Sequence, residues 1–444
     1  MGIAGRLRMN SHYKWYVVGM LWWISFFNYA DRQAIFSVFP LLEKELHLSP
    51  IQLGLLGSSF AWVYGLCSPF AGNIVDRIRR KTAILAGLQT WSLVCVATAL
   101  SRKFSHLLFF RAAEGLGETP YYPASMSMIS DYHSKRTRSR AMGIHQSSVY
   151  FGTIAGGYFA GLIGQHYGWR SSFVVFGGVG VLLGLALSKF LREPNRGAAD
   201  LRDAGGDAQA VAKRRMSIPD FLRVMRRTPT VIILMLAFMG VNFTTMVLFT
   251  WMPTFLYGKF HLSLAMAGLT ATIYIQLASM VGAPLGGWLA DYMRSRTPGG
   301  RMIVQGFGIL CEAPFVVWCA LTTSMFWLPV GLALWGFFRG FYEANIFASV
   351  FDVVRPEGRG TATGFMNMMG WLAGGGTAPI LIGYLSLRVG LSRAIAMTSL
   401  SYVASALLLF MGVLLFVRRD VAKMEAEIAA DARAISPQLV AGNP

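Results

Sequence analysis

The sequence predicts an all-α membrane protein of twelve transmembrane helices, arranged as two pseudo-symmetric six-helix bundles. Three observations predict it. Of the 444 residues 54% are apolar and only 14% are charged, where an average soluble chain is about a quarter charged. The apolar residues gather in runs of about 20 or more, long enough to cross a bilayer as helices that satisfy their own backbone. Two motifs recur at nearly one spacing, so the second half of the chain repeats the first.

The runs fall at about 14–40, 50–75, 81–100, 104–130, 139–164, 170–191, 229–257, 264–291, 302–322, 325–353, 360–387 and 391–417. The first is read as a retained helix, since no small-residue cleavage site precedes it. The long connection after span six is rich in charge, Gly and Ala and reads as a flexible cytoplasmic linker. The predicted organisation is an N-terminal bundle over 1–191, a linker over 192–228, a C-terminal bundle over 229–417 and a cytoplasmic tail over 418–444. That tail reads as a short amphipathic helix followed by disorder.

The net charge of +19 could suggest nucleic acid, but its distribution argues otherwise. Most of the 40 Lys and Arg lie in the tails, the central loop and the even-numbered loops. This positive-inside pattern puts both termini in the cytoplasm, and basic loops beside anionic lipid need no nucleic acid. The expected setting is a plasma membrane, a bacterial inner membrane. Cys67, Cys95, Cys311 and Cys319 all fall within spans and form no metal-type pair. There is no HExxH, GxSxG or P-loop, so neither an enzyme, a cofactor nor a metal is expected.

The repeat is explicit. "SPFAGNIVD" (68–76) matches "APLGGWLAD" (283–291) through Pro69/Pro284, Gly72/Gly287 and Asp76/Asp291, an offset of 215. "DYHSKRTRSRAMG" (131–143) matches "DVVRPEGRGTATG" (352–364) through Asp131/Asp352, Arg138/Arg359 and Gly143/Gly364, an offset of 221. Two motifs at nearly one offset imply six helices duplicated in parallel. Asp76, Arg77, Asp131, Arg138, Asp291, Asp352 and Arg359 sit at cytoplasmic helix ends and read as gating residues, the aspartates as salt-bridge latches.

Ionised side chains within spans cost at least about 2.5–3.5 kcal/mol each at a helix centre, so they face the bundle interior, pair, or do work. They are Asp31 and Arg32 on span one, Arg111, Glu114 and Glu118 on span four, Glu312 on span nine, and Arg339 and Glu343 on span ten. Spacings of three and four put Arg111, Glu114 and Glu118 on one helix face. Arg111 reaches Glu114, whereas Glu118, two turns away, is expected to lack a permanent partner. Pro120 and Pro123 then loosen the helix. Arg339 and Glu343 are spaced to pair. Asp31 and Arg32 point about 100° apart, one toward a proton site and the other toward a substrate. Softer cavity candidates are Asn28, Tyr29, Tyr64, Tyr121, Tyr122, Tyr274, Gln276, Asn345 and Asn367; the alternative for such residues is helix–helix hydrogen bonding. The glycines of span five, Gly152 to Gly164, read as close helix packing.

"GNIVDRIRRK" (72–81) resembles the loop motif between helices two and three of the major facilitator superfamily, with Arg79 in place of the usual Gly. "RAAEGLG" (111–117) resembles that superfamily's fourth-helix motif. The resemblance implies two six-helix bundles around a cavity open to one side at a time. "NYADR" with "GLGETPYYPA", and "GRGTATGFMNMMGWLAGGGTAPILIGYL" (358–385), resemble the anion:cation symporter family, with Glu114 and the Arg339–Glu343 pair as departures. That resemblance implies a monomeric carrier moving a small organic anion such as a sugar acid with protons. Asp31 and Glu118 would be its proton-coupling residues, and Arg32 and Arg111 would handle the anion. "GLGETPYYPASMSMISDYH" and 167–197 are also similar to bacterial spinster-like transporters, which implies instead an exporter of lysophospholipid or related amphiphilic anions.

Overall fold

The computed structural model describes residues 12–194 and 218–428, with the side chains of Gly72, Asn73, Asp76, Lys135 and Ile218 outside that set. Every predicted span is helical, and there is no strand among the described residues. The helices of the first half are α1 (Tyr13–Ser37), α2 (Phe39–Leu46), α3 (Pro50–Arg77), α4 (Arg80–Thr98), α5 (Phe104–Glu118), α6 (Tyr121–Tyr132), α7 (Lys135–Tyr167) and α8 (Trp169–Phe190). Those of the second are α9 (Ile218–Arg227), α10 (Pro229–Phe260), α11 (Leu264–Arg296), α12 (Gly300–Leu321), α13 (Trp327–Glu343), α14 (Ile346–Phe351), α15 (Arg359–Met368), α16 (Ala378–Val389), α17 (Leu391–Met397) and α18 (Ser399–Gly412). π-Helical turns at Met369–Gly375 and Val413–Val417 extend α15 and α18.

Among the described residues six helices are long and apolar enough to cross a membrane by length and composition alone. The other spans carry charge, are interrupted or, as in span five, are rich in Gly, Ser and Tyr. Span four breaks into α5 and α6 at Thr119 and Pro120, because proline has no N–H to donate and its ring crowds the preceding turn. Span two starts cleanly: Ser49 and Gln52 form a reciprocal capping box with Pro50 at the first helical position.

The duplication is written into the backbone. His47 (φ 52°) follows α2 and His261 (φ 54°) follows α10, and each begins the tripeptide His-Leu-Ser. Gly168 (φ 81°) and Gly390 (φ 82°) end α7 and α16 in a conformation that only glycine adopts freely. Arg80 pairs with Asp131 at 2.8 Å, and 221 positions later Arg301 pairs with Asp352 at 2.6 Å. Arg138 donates to the Ser130 carbonyl at 3.1 Å, and Arg359 donates to the Phe351 carbonyl at 3.1 Å.

Packing divides the chain into two compact units. One holds the first-half helices together with Thr245–Leu277 and Gly375–Ala394; the other takes the remainder of the second half, including Ala278–Gly374. In the first unit α7 supplies two glycine faces. A side chain at Gly152 or Gly156 would strike the α1 backbone at Phe26 or Ala30, and one at Gly157 or Gly161 would strike α11 at Gly268 or Leu264. Small residues let helices approach closely where no hydrophobic force between them is available in lipid.

Most of the 192–228 linker lies outside the described residues, but its end differs from the flexible segment expected. Residues 218–227 form α9, whose buried Phe221 packs on Phe365 with ring centroids 5.2 Å apart. Burying that aromatic fixes a segment that also carries Asp220 and three arginines. The expected tail helix is described to Ile428; the disorder expected beyond falls outside the described residues.

Candidate functional site

Helices α1, α3 and α5 converge on the charged residues of the first unit. Gly115 brings α5 against α3, since a Cβ there would sit 2.7 Å from the Phe60 carbonyl oxygen. That approach carries Arg111, Glu114 and Glu118 into the same buried region as Asp31 and Arg32. Asp31, Arg111, Glu114 and Glu118 are each 1–2% exposed.

The pairing corrects one expectation. Glu118 has a partner: its Oε2 accepts from Arg32 Nε in an ion pair, across 86 positions of sequence. Arg111 Nη1 binds Glu114 Oε2, as the spacing predicts. The unpartnered carboxyl is instead Asp31. Neither of its oxygens has a hydrogen-bond donor, and among the described residues no Lys or Arg nitrogen lies within ion-pair distance. It lies beside Cys95 and within electrostatic reach of Glu114, Glu118 and Arg111. The adjacent Arg32 therefore compensates Glu118 rather than Asp31, because successive helix residues point to different sectors.

Aromatic rings surround the cations. The Arg32 guanidinium carbon lies 4.8 Å from the Tyr29 ring centroid, 5.0 Å from Phe60 and 4.7 Å from Tyr64. Arg111 lies 4.9 Å from the same Phe60 ring, so one phenyl group serves both guanidiniums. Such contacts contribute about 0.5–2 kcal/mol, more when desolvated. Phe60 and Cys95 were not apparent as site residues from sequence; the one signal was Phe60 standing one helical turn before Tyr64. Asn28 lies against the Glu118 carboxyl, and Tyr122 is within electrostatic reach of Tyr29.

Other candidates are placed differently. Tyr121 is buried in the helix core, where its hydroxyl donates to the Leu21 carbonyl at 2.8 Å and meets His145 Nε2 at 3.1 Å. Tyr274 is 39% exposed, and Gln276 on the same helix is buried. Asn345 is buried and donates to the Gly286 and Phe341 carbonyls at 3.2 and 2.9 Å, a helix–helix link. Asn367 is half-buried on α15.

The second unit has its own group. Arg339 reaches Glu343 at 3.4 Å, and both act electrostatically on Glu312, which is wholly buried. Trp335 Nε1 donates to the Tyr402 hydroxyl at 3.2 Å beside them. At the helix ends, Arg301 bridges Asp291 at 2.8 Å and Asp352 at 2.6 Å. The Asp76 side chain lies outside the described set, and Arg77 is exposed.

The model of the Major Facilitator Superfamily matches residues 21–379 and 259–440. The chain belongs to the Major Facilitator Superfamily. It is therefore a multi-pass membrane transporter and not an enzyme. Among superfamily relatives it is 26% identical to the hexuronate transporter of Bacillus subtilis, covering 86% of this chain and 90% of that one. It is 27% identical to a probable galactarate/D-glucarate transporter of the same organism, covering 84% and 85%. It is 25% identical to the protein spinster of Drosophila melanogaster, covering 86% of this chain and 64% of the fly protein. Its fold matches the crystal structure of a bacterial homologue of the human lysosomal transporter spinster, in an inward-facing and occupied conformation. That match has a TM-score of 0.77 at 23% identity and covers 92% of this chain and 98% of the other.

Proposed function

We propose that this superfamily member carries a small organic anion, a sugar acid, together with protons by alternating access. The observation that carries the reading is the charge balance of the first unit: two arginines face three buried carboxyls, and Asp31 is the one without a cation. A protonated Asp31 leaves the cluster neutral, and a neutral cluster is the inexpensive one to keep in a dry interior.

Substrate entry then requires a proton. A substrate carboxylate binding Arg32 competes with Glu118 for the same guanidinium. Once displaced, Glu118 is a buried carboxylate with no counter-charge, and taking a proton removes that cost. One anion entering thus recruits one proton at Glu118, while the state of Asp31 sets whether the loaded carrier is neutral. The Tyr29, Tyr64 and Tyr122 hydroxyls are hydrogen-bonding groups suited to a polyol. Arg111, tied to Glu114, holds the cluster together. The names of the Bacillus subtilis relatives favour hexuronates and aldarates.

Purified protein in liposomes with an internal pH-sensitive dye tests this. The panel holds hexuronates, aldarates, short carboxylates, neutral sugars and a lysophospholipid. Inward proton flow with one sugar acid, lost in Arg32→Ala, supports the reading; proton flow with neutral sugars alone sinks it. The likeness to spinster proteins favours a second reading, export of a lysophospholipid or similar amphiphilic anion. Lysophospholipid transfer between leaflets, with no response to any sugar acid, would establish that one.

A further inference from the structure

A groove of about 550 Å³ runs along the first turns of α1 and the end of α8, away from the charged cluster. Its walls are apolar: Met20, Trp23, Leu183 and Leu187 line it, with Tyr16 and Phe190 at the mouth. Trp23 is 50% exposed and Phe190 64%, and exposed aromatic side chains are favoured at membrane interfaces. Lys189 and Arg192 sit on the rim.

Three features suit this groove to an anion with an apolar tail. First, neither cation has a carboxylate ion-pair partner among the described residues: Arg192 lies 5.2 Å from the Tyr13 ring, and the acid next to it in sequence is occupied. Glu193 accepts from the Arg80 and Lys81 backbone N–H groups at 2.9 and 2.7 Å. Secondly, two of the carbonyls at the end of α8, which would repel an anion, are capped. Phe190 O accepts from Tyr13 Oη at 2.8 Å and Ser188 O from Lys81 Nζ at 2.7 Å. Thirdly, Gly19 lines the groove in the interior of α1, although glycine weakens a helix relative to alanine. No packing demands it, because a Cβ at Gly19 would meet nothing within 4 Å. The missing side chain leaves groove volume.

We propose that this groove between α1 and α8 holds one anionic phospholipid of the leaflet on the side of the basic loops. Its phosphate lies on Lys189 and Arg192, and an acyl chain lies along Met20, Trp23, Leu183 and Leu187. The occupant is a lipid rather than a soluble phosphate because the walls are apolar and α8, which carries Leu183 and Leu187, is long and apolar enough to cross a membrane.

Native mass spectrometry of the full chain in detergent, titrated with phosphatidylglycerol or phosphatidylcholine, tests this. The expected result is one phosphatidylglycerol bound where phosphatidylcholine is not. The double variant Lys189→Glu/Arg192→Glu is expected to weaken it about tenfold, the scale of basic residues at an anionic surface. Gly19→Trp, which fills the groove without changing charge, is expected to weaken it as well, and Lys423→Glu to leave it unchanged. Equal binding of the two lipids, retention of phosphatidylglycerol by both groove variants, or an equal loss in Lys423→Glu would overturn the proposal.

Discussion

Arg32 on α1 and Glu118 on α5 form an ion pair, while Asp31, next in sequence to Arg32, has no cation partner. The two acids therefore differ in what holds them. Glu118 is compensated until something competes for Arg32; Asp31 sits beside Cys95, within the field of Glu114, Glu118 and Arg111 and without an ion pair.

Asp31→Asn fixes the cluster in its neutral form. Because Glu118 still takes the proton that accompanies each anion, substrate counterflow and gradient-driven uptake are both expected to continue, the uptake without the pH dependence that Asp31 contributes. Both are read as radiolabelled solute in liposomes, and loss of the two together would remove the coupling role.

Glu118→Gln leaves Arg32 without its carboxylate. Breaking a buried pair by removing one partner costs about 3–5 kcal/mol, so a marked drop in thermal stability in detergent is expected. Arg32→Leu/Glu118→Leu should recover most of that stability, as an apolar replacement of the pair, yet bind no anion. If the double variant is no more stable than Glu118→Gln, the pair is not the stabilising element.

Gly156→Leu places a side chain against the α1 backbone at Ala30. Overpacking costs about 1–3 kcal/mol, and α1 carries Asp31 and Arg32, so both unfolding temperature and transport should fall. Gly178→Ala is the control, since a Cβ there meets nothing within 4 Å. Equal effects would show that the α1–α7 approach is not limiting.

Asp352 is shared by Arg301 at 2.6 Å and Arg294 at 3.4 Å. Asp352→Asn is expected to cost about 1 kcal/mol in stability, as for partly solvated ion pairs. A larger effect on transport rate would follow from its proposed place in the gate. A rate unchanged beside wild type would confine Asp352 to packing.

His133 follows α6, where burial holds its imidazole below the ordinary value of 6.5. The folded chain thus binds fewer protons there than the unfolded chain, and stability rises with pH. As pH falls below about 6.5 the contribution is lost. His133→Gln should flatten that part of a melting-temperature profile, and an unchanged slope would assign it to other groups.

Much of the site was legible in the sequence because burying charge in a membrane is expensive, which makes each intramembrane Asp, Glu and Arg conspicuous. The Arg111–Glu114 and Arg339–Glu343 pairs followed from helical spacing. The pairing of Glu118 did not, because it joins helices far apart in sequence. Phe60 was hidden for a different reason: a phenylalanine in an apolar run carries no mark of a neighbouring guanidinium. The repeat itself was fuller than its two motifs suggested, since His47 and His261 share a backbone conformation that hydropathy does not register.

The sequence by itself determined that the chain crosses a membrane as helices, that its halves are duplicated and which charges lie within the spans. Those properties depend on composition, run length and spacing along one helix. Only the tertiary structure decided which acid each arginine of the α1–α5 cluster compensates, that Asp31 is the carboxyl of that cluster left without a cation, and that Tyr121 and Asn345 are spent on helix contacts. These depend on how closely neighbouring helices approach. Glycines such as Gly115 and Gly156 permit that approach, but the partner backbone is named only when the helices pack.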